Sequence, residues 1–260
     1  MSESPETALR RALEMIEPEM LRGLARTDGG YVELLPDVPA PNPSPASIAM
    51  NNRVVATIYE KLWRPFGVSM MGIAGMSMSA ERAKAVTDLR LDGPQRVLDV
   101  ACGPGNFTKF LSEKLTGDGI AIGFDISEAM IARAVQDNRG PRAAYVRGDA
   151  AHLPYSDSTF DAVCCYAALY LIPKPMTVLD ELIRVLRPGG RIAIMTSCEP
   201  RPAPLGSLVG FGTGLAGVRM FPKDLFVDVF EASGLTEVEQ DVRGLAQFVS
   251  ATKENQRNDR

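Results

Sequence analysis

The chain has 260 residues, 45% of them hydrophobic, enough to bury a sizeable core in one generous domain or in a domain with an appendage. A formal net charge of −4 and the absence of any Lys/Arg cluster exclude a dedicated nucleic-acid surface, which would carry a basic patch. The lone His152 and four cysteines without C-x-x-C spacing offer no ligand set for a metal, so Cys102, Cys164, Cys165 and Cys198 read as buried free thiols in a reducing compartment.

Glu3 and Glu6 precede any apolar run, which argues against a secretory signal. The longest apolar stretches, 160–172 and 204–221, contain Asp161 in the first and Arg219 with five glycines in the second, and neither suits a membrane span. The expectation is a soluble cytoplasmic protein.

Residues 5–25 carry a helical pattern, with Leu9, Leu13, Ile16 and Met20 on one face and a break or kink at Pro18. Asp28-Gly29-Gly30 is a turn, and residues 31–35 are a short strand. Pro36, Pro39, Pro41, Pro43 and Pro45 then stiffen the chain into an extended linker, so residues 1–46 form an N-terminal extension with its linker. Residues 47–93 are a helical cap on the substrate side. Within them, Tyr59 and Trp63 stand four apart on one helical face, packing on the core or meeting a substrate. The Met- and Gly-rich stretch 68–78 is suited to an acceptor pocket or to adaptable packing under a loop. Residues 79–89 form a helix with Ser79 as its cap.

Residues 96–110 organise the rest of the chain. They read as a buried strand (97–101), a glycine turn (Gly103-Pro104-Gly105) and a helix opened by Asn106 as N-cap. Gly103 and Gly105 permit backbone angles and close approach that a Cβ would block, which implies a ligand at the turn. A dinucleotide wants a third glycine and no nearby carboxylate. Here Thr108 holds the third position and Asp99 lies in the strand, an arrangement that suits a ligand bearing an ammonium and a sulfonium.

Strands and helices then alternate, as in a parallel sheet covered on both faces. The second strand, 120–124, ends at Asp125, 22 residues after Gly103, where an acidic residue takes ribose hydroxyls. The competing role for Asp125 is to cap the helix 127–136. A strand at 144–147 leads to Gly148-Asp149-Ala150, and a strand at 160–166 leads to Tyr170. A helix at 179–186 is stopped by Arg187-Pro188-Gly189-Gly190 before a strand at 191–196. An insertion at 200–220 is a lid or a plain loop, followed by a helix at 222–232 and two strands, 237–242 and 246–252.

The segment D-V-A-C-G-P-G-N-F at 99–107 resembles the first motif of the class I S-adenosylmethionine-dependent methyltransferases, and four later segments fit that family in order. I-Y-E-K-L-W-R-P at 58–65 is similar to a segment before the core in its quinone- and small-molecule-modifying branch (type 11). Some relatives there begin with a cysteine-rich zinc ribbon, whereas this chain has no cysteine before Cys102. The resemblance implies a Rossmann-like α/β fold: a doubly wound, mostly parallel seven-stranded sheet over 94–260, closed by the two late strands as an antiparallel hairpin. It also implies S-adenosyl-L-methionine as cofactor.

The cofactor contacts implied are Asp99, Ala101, Gly103, Gly105, Asn106, Asp125, Ile126, Met130, Asp149, Ala150 and Tyr166. Asp149 would accept from the adenine amine and Ala150 would offer its amide to the ring, with His152 on the adenine side. Tyr166, Tyr170 and Tyr59 are the candidate proton acceptors, although relatives often carry His at the position of Tyr170. The acceptor implied is small and apolar or aromatic, phenol- or quinone-like. The alternatives are an RNA or protein methyltransferase, weakened by the lack of a basic face; a non-catalytic cofactor-binding protein; and a nicotinamide-dependent oxidoreductase, disfavoured by Asp99 and Thr108.

Overall fold

Short runs of β-branched and apolar residues form the strands: β1 (Val32–Glu33), β2 (Arg96–Val100), β3 (Ile120–Asp125), β4 (Ala143–Arg147), β5 (Phe160–Tyr166), β6 (Leu186–Ser197), β7 (Leu235–Arg243) and β8 (Ala246–Lys253). The helices are α1 (Pro5–Met15), α2 (Pro18–Leu21), α3 (Met78–Leu89), α4 (Asn106–Ser112), α5 (Glu128–Asn138), α6 (Pro175–Val185) and α7 (Leu225–Ala232). The computed structural model describes residues 4–21, 27–35, 77–199 and 219–255. The Pro-rich linker, Tyr59 and Trp63, most of the Met- and Gly-rich stretch, nearly all of the 200–220 insertion and the last residues lie outside the described residues.

One sheet runs β1-β4-β3-β2-β5-β6-β8-β7. It is parallel except where β8 pairs antiparallel with β6 and β7, the expected hairpin at the edge. Side-chain alternation divides the core between the two faces. Leu98, Val100, Ile122, Phe124, Val163 and Cys165 pack with α1, α6 and α7. Val97, Ala121, Ala162, Cys164, Tyr166 and Ala193 pack with α3 and α4. This second face is built from small residues, so its helices lie close to the strands. Gly123 is the extreme case: a Cβ there would stand 2.7 Å from the Tyr145 ring, 2.8 Å from Thr108 Oγ1 and 2.9 Å from Cys102 Sγ.

The expected seven strands become eight because the N-terminal extension belongs to the sheet. β1 pairs parallel with β4 in the register Val32↔Val146 and Glu33↔Arg147. Ser4 caps α1 by accepting from the Thr7 amide, and α1 packs against β4. The chain breaks before Pro18, where the Glu17 amide donates to the Pro154 carbonyl at 3.0 Å. Arg11 fastens the helix to the carbonyls of Asp118 and Gly119.

Three local expectations are corrected. Ser77, not Ser79, caps α3 by accepting from the Ala80 amide at 3.1 Å. Gly105 is the N-cap of α4, with φ 78°, so Asn106 is the first helical residue and makes no cap bond. The segment 187–190 lies inside β6, whose register shifts opposite Phe160 and Ala162, and the helix before it begins at Pro175, whose fixed φ suits a first turn. The four cysteines are buried and free. No described helix is long and apolar enough to cross a membrane.

Gly123→Ala is expected to lower stability by about 1–3 kcal/mol, because none of the three crowded neighbours sits on a flexible chain end. Urea unfolding of the two proteins checks this.

Candidate functional site

The chain leaves β2 through α4 towards β3, and leaves β5 through α6 towards β6, so the connections part between β2 and β5. Ligands of open α/β sheets bind at such a switch point, outside the strands' carboxyl ends. Both strands end on an alanine in the left-handed region, Ala101 at φ 56° and Ala167 at φ 58°. An L-residue there costs roughly 1–2 kcal/mol. The turned chains are held apart from opposite sides: the Cys102 amide donates to the Phe124 carbonyl on β3, and the Ala167 amide to the Met195 carbonyl on β6.

The glycine turn forms one wall. Gly103 has φ 55° and no atom of the described residues within 4 Å of where a Cβ would stand, so its backbone is uncrowded there. Gly105 is the opposite case, with Ala134 Cβ and the Tyr145 hydroxyl 2.7 Å from its missing Cβ. The Tyr145 hydroxyl lies 2.9 Å from the Asn138 carbonyl and 3.2 Å from the Gly105 carbonyl, while Asn138 Nδ2 donates to Pro104 O at 2.7 Å. One glycine serves packing against α5 and the other faces the crevice.

Asp125 stands at the tip of β3 beside that turn. Its Oδ2 accepts from the Gly103 amide and its Oδ1 from the Ser127 amide, each at 2.8 Å. The cap of α5 is Ser127, whose hydroxyl accepts from the Met130 amide at 3.3 Å. Asp125 therefore ties the corner together rather than capping the helix alone. Burial pushes its carboxyl above the ordinary value, opposed by the amides of Ser127, Gly103 and Ile126. Of the four or so lone-pair sites of the carboxylate, these three amides leave capacity for a ligand hydroxyl. Ile126, next in the chain, is 52% exposed, an apolar face beside a carboxylate. Across the end of β4, Asp149 is exposed; its Oδ1 accepts from the Ala151 amide at 2.9 Å, and Ala150 is half-buried. His152 is exposed, and its backbone amide donates to the Asp149 carbonyl.

Three expected positions fall elsewhere. Asp99 is 2% exposed and does not open to the crevice; its Oδ2 accepts from Thr108 Oγ1 at 2.6 Å and its Oδ1 lies 3.6 Å from the Cys164 thiol. Met130 is 1% exposed, so its side chain supports α5 instead of facing a ligand. Tyr166 lies under α3, its ring 4.9 Å from Phe107 and 6.4 Å from Phe248, with no partner for its hydroxyl among the described residues. Burial pushes its phenol well above the usual value, which unfits it as a proton acceptor. Tyr170 is half-buried in a single turn, Leu169–Leu171, and its carbonyl accepts from the Arg219 amide at 3.1 Å.

In the sequence Thr108 reads only as a missing glycine. Its first-turn position on α4, facing back onto β2, is what makes it the partner of Asp99. Gly103, Asp125, Ile126 and Asp149 together offer an open backbone, two carboxylates and an apolar face, a donor and acceptor set that fits a nucleoside.

An open, doubly wound sheet with these groups at its switch point defines a Rossmann-like α/β protein. Residues 97–190 match the family described as methyltransferase domain. The chain is 32% identical over 149 residues to a demethylmenaquinone methyltransferase of Shouchella clausii, covering 56% of this chain and 63% of that protein. It is 29% identical over 182 residues to one of Bacillus mycoides, covering 69% and 74%. The chain thus spans less than two thirds of the length of the first of these relatives. Among solved structures, a putative methyltransferase from Bacillus halodurans superposes with a TM-score of 0.59 at 20% identity, over 68% of this chain and 100% of that one. A SAM-dependent methyltransferase from Aquifex aeolicus gives 0.53 at 20% identity, over 66% and 89%. Residues 97–190 are thus similar to methyltransferase domains, and the fold is that of solved methyltransferases.

Thr108→Val keeps the shape and removes the donor to a buried carboxylate, so stability is expected to fall by about 1.5–3 kcal/mol. The shift of the urea midpoint measures it.

Proposed function

We propose that the chain is an S-adenosylmethionine-dependent methyltransferase of the cytoplasm, acting on a small phenol- or quinone-like acceptor. The observation that carries this reading is the corner at Asp125, where a carboxylate with free lone pairs, an exposed Ile126 and the uncrowded backbone of Gly103 converge. The relatives named demethylmenaquinone methyltransferase support the acceptor class.

In this reading Asp125 accepts from the two ribose hydroxyls and Ile126 covers one face of the adenine. Asp149 accepts from the exocyclic amine, the amide of Ala150 serves the ring, and Ala101, Gly103, Gly105 and Asn106 shape the wall at the glycine turn. The bound cofactor supplies an already activated methyl group. The protein's task is then to align the acceptor and exclude water, an orientation effect of roughly 7–11 kcal/mol. Asp99, fixed by Thr108, places negative charge under the floor of the crevice, which favours a cation there over a pyrophosphate. Tyr166, buried and neutral, packs beneath the crevice, and half-buried Tyr170 is the remaining described tyrosine on the acceptor side. Residues 47–93 and the 200–220 insertion are assigned to the acceptor side and a lid.

Calorimetric titration with S-adenosylmethionine, its demethylated product and NAD tests the cofactor. The first two are expected to bind, NAD is not, and Asp125→Ala is expected to weaken binding by at least about tenfold, since it removes hydrogen bonds to a charged group. Transfer of labelled methyl to a demethylmenaquinone-type hydroquinone tests the acceptor; binding without transfer to any phenol or quinone would sink that half of the reading.

Only the ionised Asp125 accepts from both hydroxyls. Because burial raises its pKa above the ordinary aspartate value of 3.8, affinity is expected to decline as the pH falls from neutral through that raised pKa, starting at a higher pH than an ordinary aspartate would allow. A pH series of the same titration checks the sign.

A further inference from the structure

Residues 27–35 reach the Asp125 corner from the edge of the sheet. Glu33 is 6% exposed and sits on β1 opposite Arg147 at the end of β4. Its Oε1 accepts from the Leu35 amide and its Oε2 from Arg147 Nη1, each at 2.8 Å. The same guanidinium donates through Nε to the Ile126 carbonyl at 3.1 Å. One planar fork therefore joins β1 to the residue that follows Asp125, a two-point geometry that a flexible ammonium does not reproduce. The pair is largely shielded from water, unlike the exposed pairs that contribute little.

A second contact reaches the same corner by a different route. Tyr31 packs on the cluster of Ile131, Ala134 and Val135 on α5, and the turn at Gly30, φ 75°, would bring a Cβ to 3.0 Å from Val135. The extension thus grips α5 itself, while Arg147 holds the backbone just before its cap.

We propose that residues 27–35 are a working part of the ligand site, with Glu33 acting through Arg147 to fix the corner formed by Asp125, Ile126 and Ser127, so that nucleoside affinity depends on a residue that never touches the ligand. This rests on the nucleoside reading of that corner. Glu33 and Arg147 are positioning residues. The Ile126 carbonyl, once released, lets the apolar face and the carboxylate next to it leave their common orientation.

The test is calorimetric titration of the full chain with S-adenosylhomocysteine, alongside thermal melting. Glu33→Gln and Arg147→Gln are each expected to raise the Kd by about three- to thirty-fold, the range seen for residues coupled to a site through a contact network. The double variant is expected to bind no more weakly than Arg147→Gln alone, because both changes cut one connection. Phe226→Leu, on the buried face of α7, lowers the melting temperature but leaves the Kd unchanged, separating positioning from stability. A folded Glu33→Gln within about twofold of wild type overturns the proposal. If Glu33→Gln does not fold, Arg147→Lys decides by the same criterion, since it keeps the charge and loses the fork. Wild-type protein that binds no S-adenosylhomocysteine, or Asp125→Ala that binds it normally, overturns instead the nucleoside reading and this proposal with it.

Discussion

The carboxylate of Asp125 is the constraint on which the site depends. It joins two backbone amides, one in the turn after β2 and one at the start of α5. Burial disfavours the charged form, and backbone donors offset part of that cost. The result is a charge fixed in place by the main chain rather than by another side chain. Among the described residues no lysine or arginine pairs with the oxygens a ligand would use. The arrangement fixes the approach of Gly103, the direction of Ile126 and the first turn of α5 at once.

The remainder of the crevice depends on how the sheet ends. Left-handed alanines turn the chain away from β2 and β5, and their neighbouring amides bind outward to β3 and β6. The face beneath is lined by Ala121, Gly123, Ala162 and Ala193, so α3 and α4 approach closely and polar groups on that face are sealed in. Asp99 and Tyr166 are the two that matter. Asp99 is satisfied by Thr108, whereas the hydroxyl of Tyr166 is buried with no partner among the described residues. One is an anchor of the floor, and the other is a neutral phenol packed among aromatic rings.

Much of this was legible in the sequence, and the reasons are physical. β5 is readable residue for residue, and the strand before Asp125 to within one residue, because buried parallel strands are short apolar runs between turn residues. Gly103 and Asp125 were legible as neighbours because doubly wound folds keep a set spacing between the glycine turn after one strand and the acid at the tip of the next, and here the Gly103 amide donates to the Asp125 carboxylate. What escaped was non-local. The strand at residues 31–35 carries no mark of its partner, and nothing local in Glu33 or Arg147 announces a bond across 114 positions. Burial also escaped: Met130 and Asp99 stand at expected positions in the motifs, yet their side chains turn into the protein. Caps shifted by one or two residues at Ser77 and Gly105 because the cap is chosen by backbone angles that a residue list does not contain.

The pairing of β1 with β4 also sets an order of events. Val32 and Glu33 leave the ribosome more than a hundred residues before Val146 and Arg147, so at about 5–20 residues per second the extension waits about 6–23 seconds for its partner strand. β6 waits as well, because β8, which covers its edge, is made after β7. The central strands β2, β3 and β4 are the first neighbours to meet, and the N-terminus closes over them afterwards. A nascent chain of this protein therefore carries β1 for a time with no strand yet made for it to pair with.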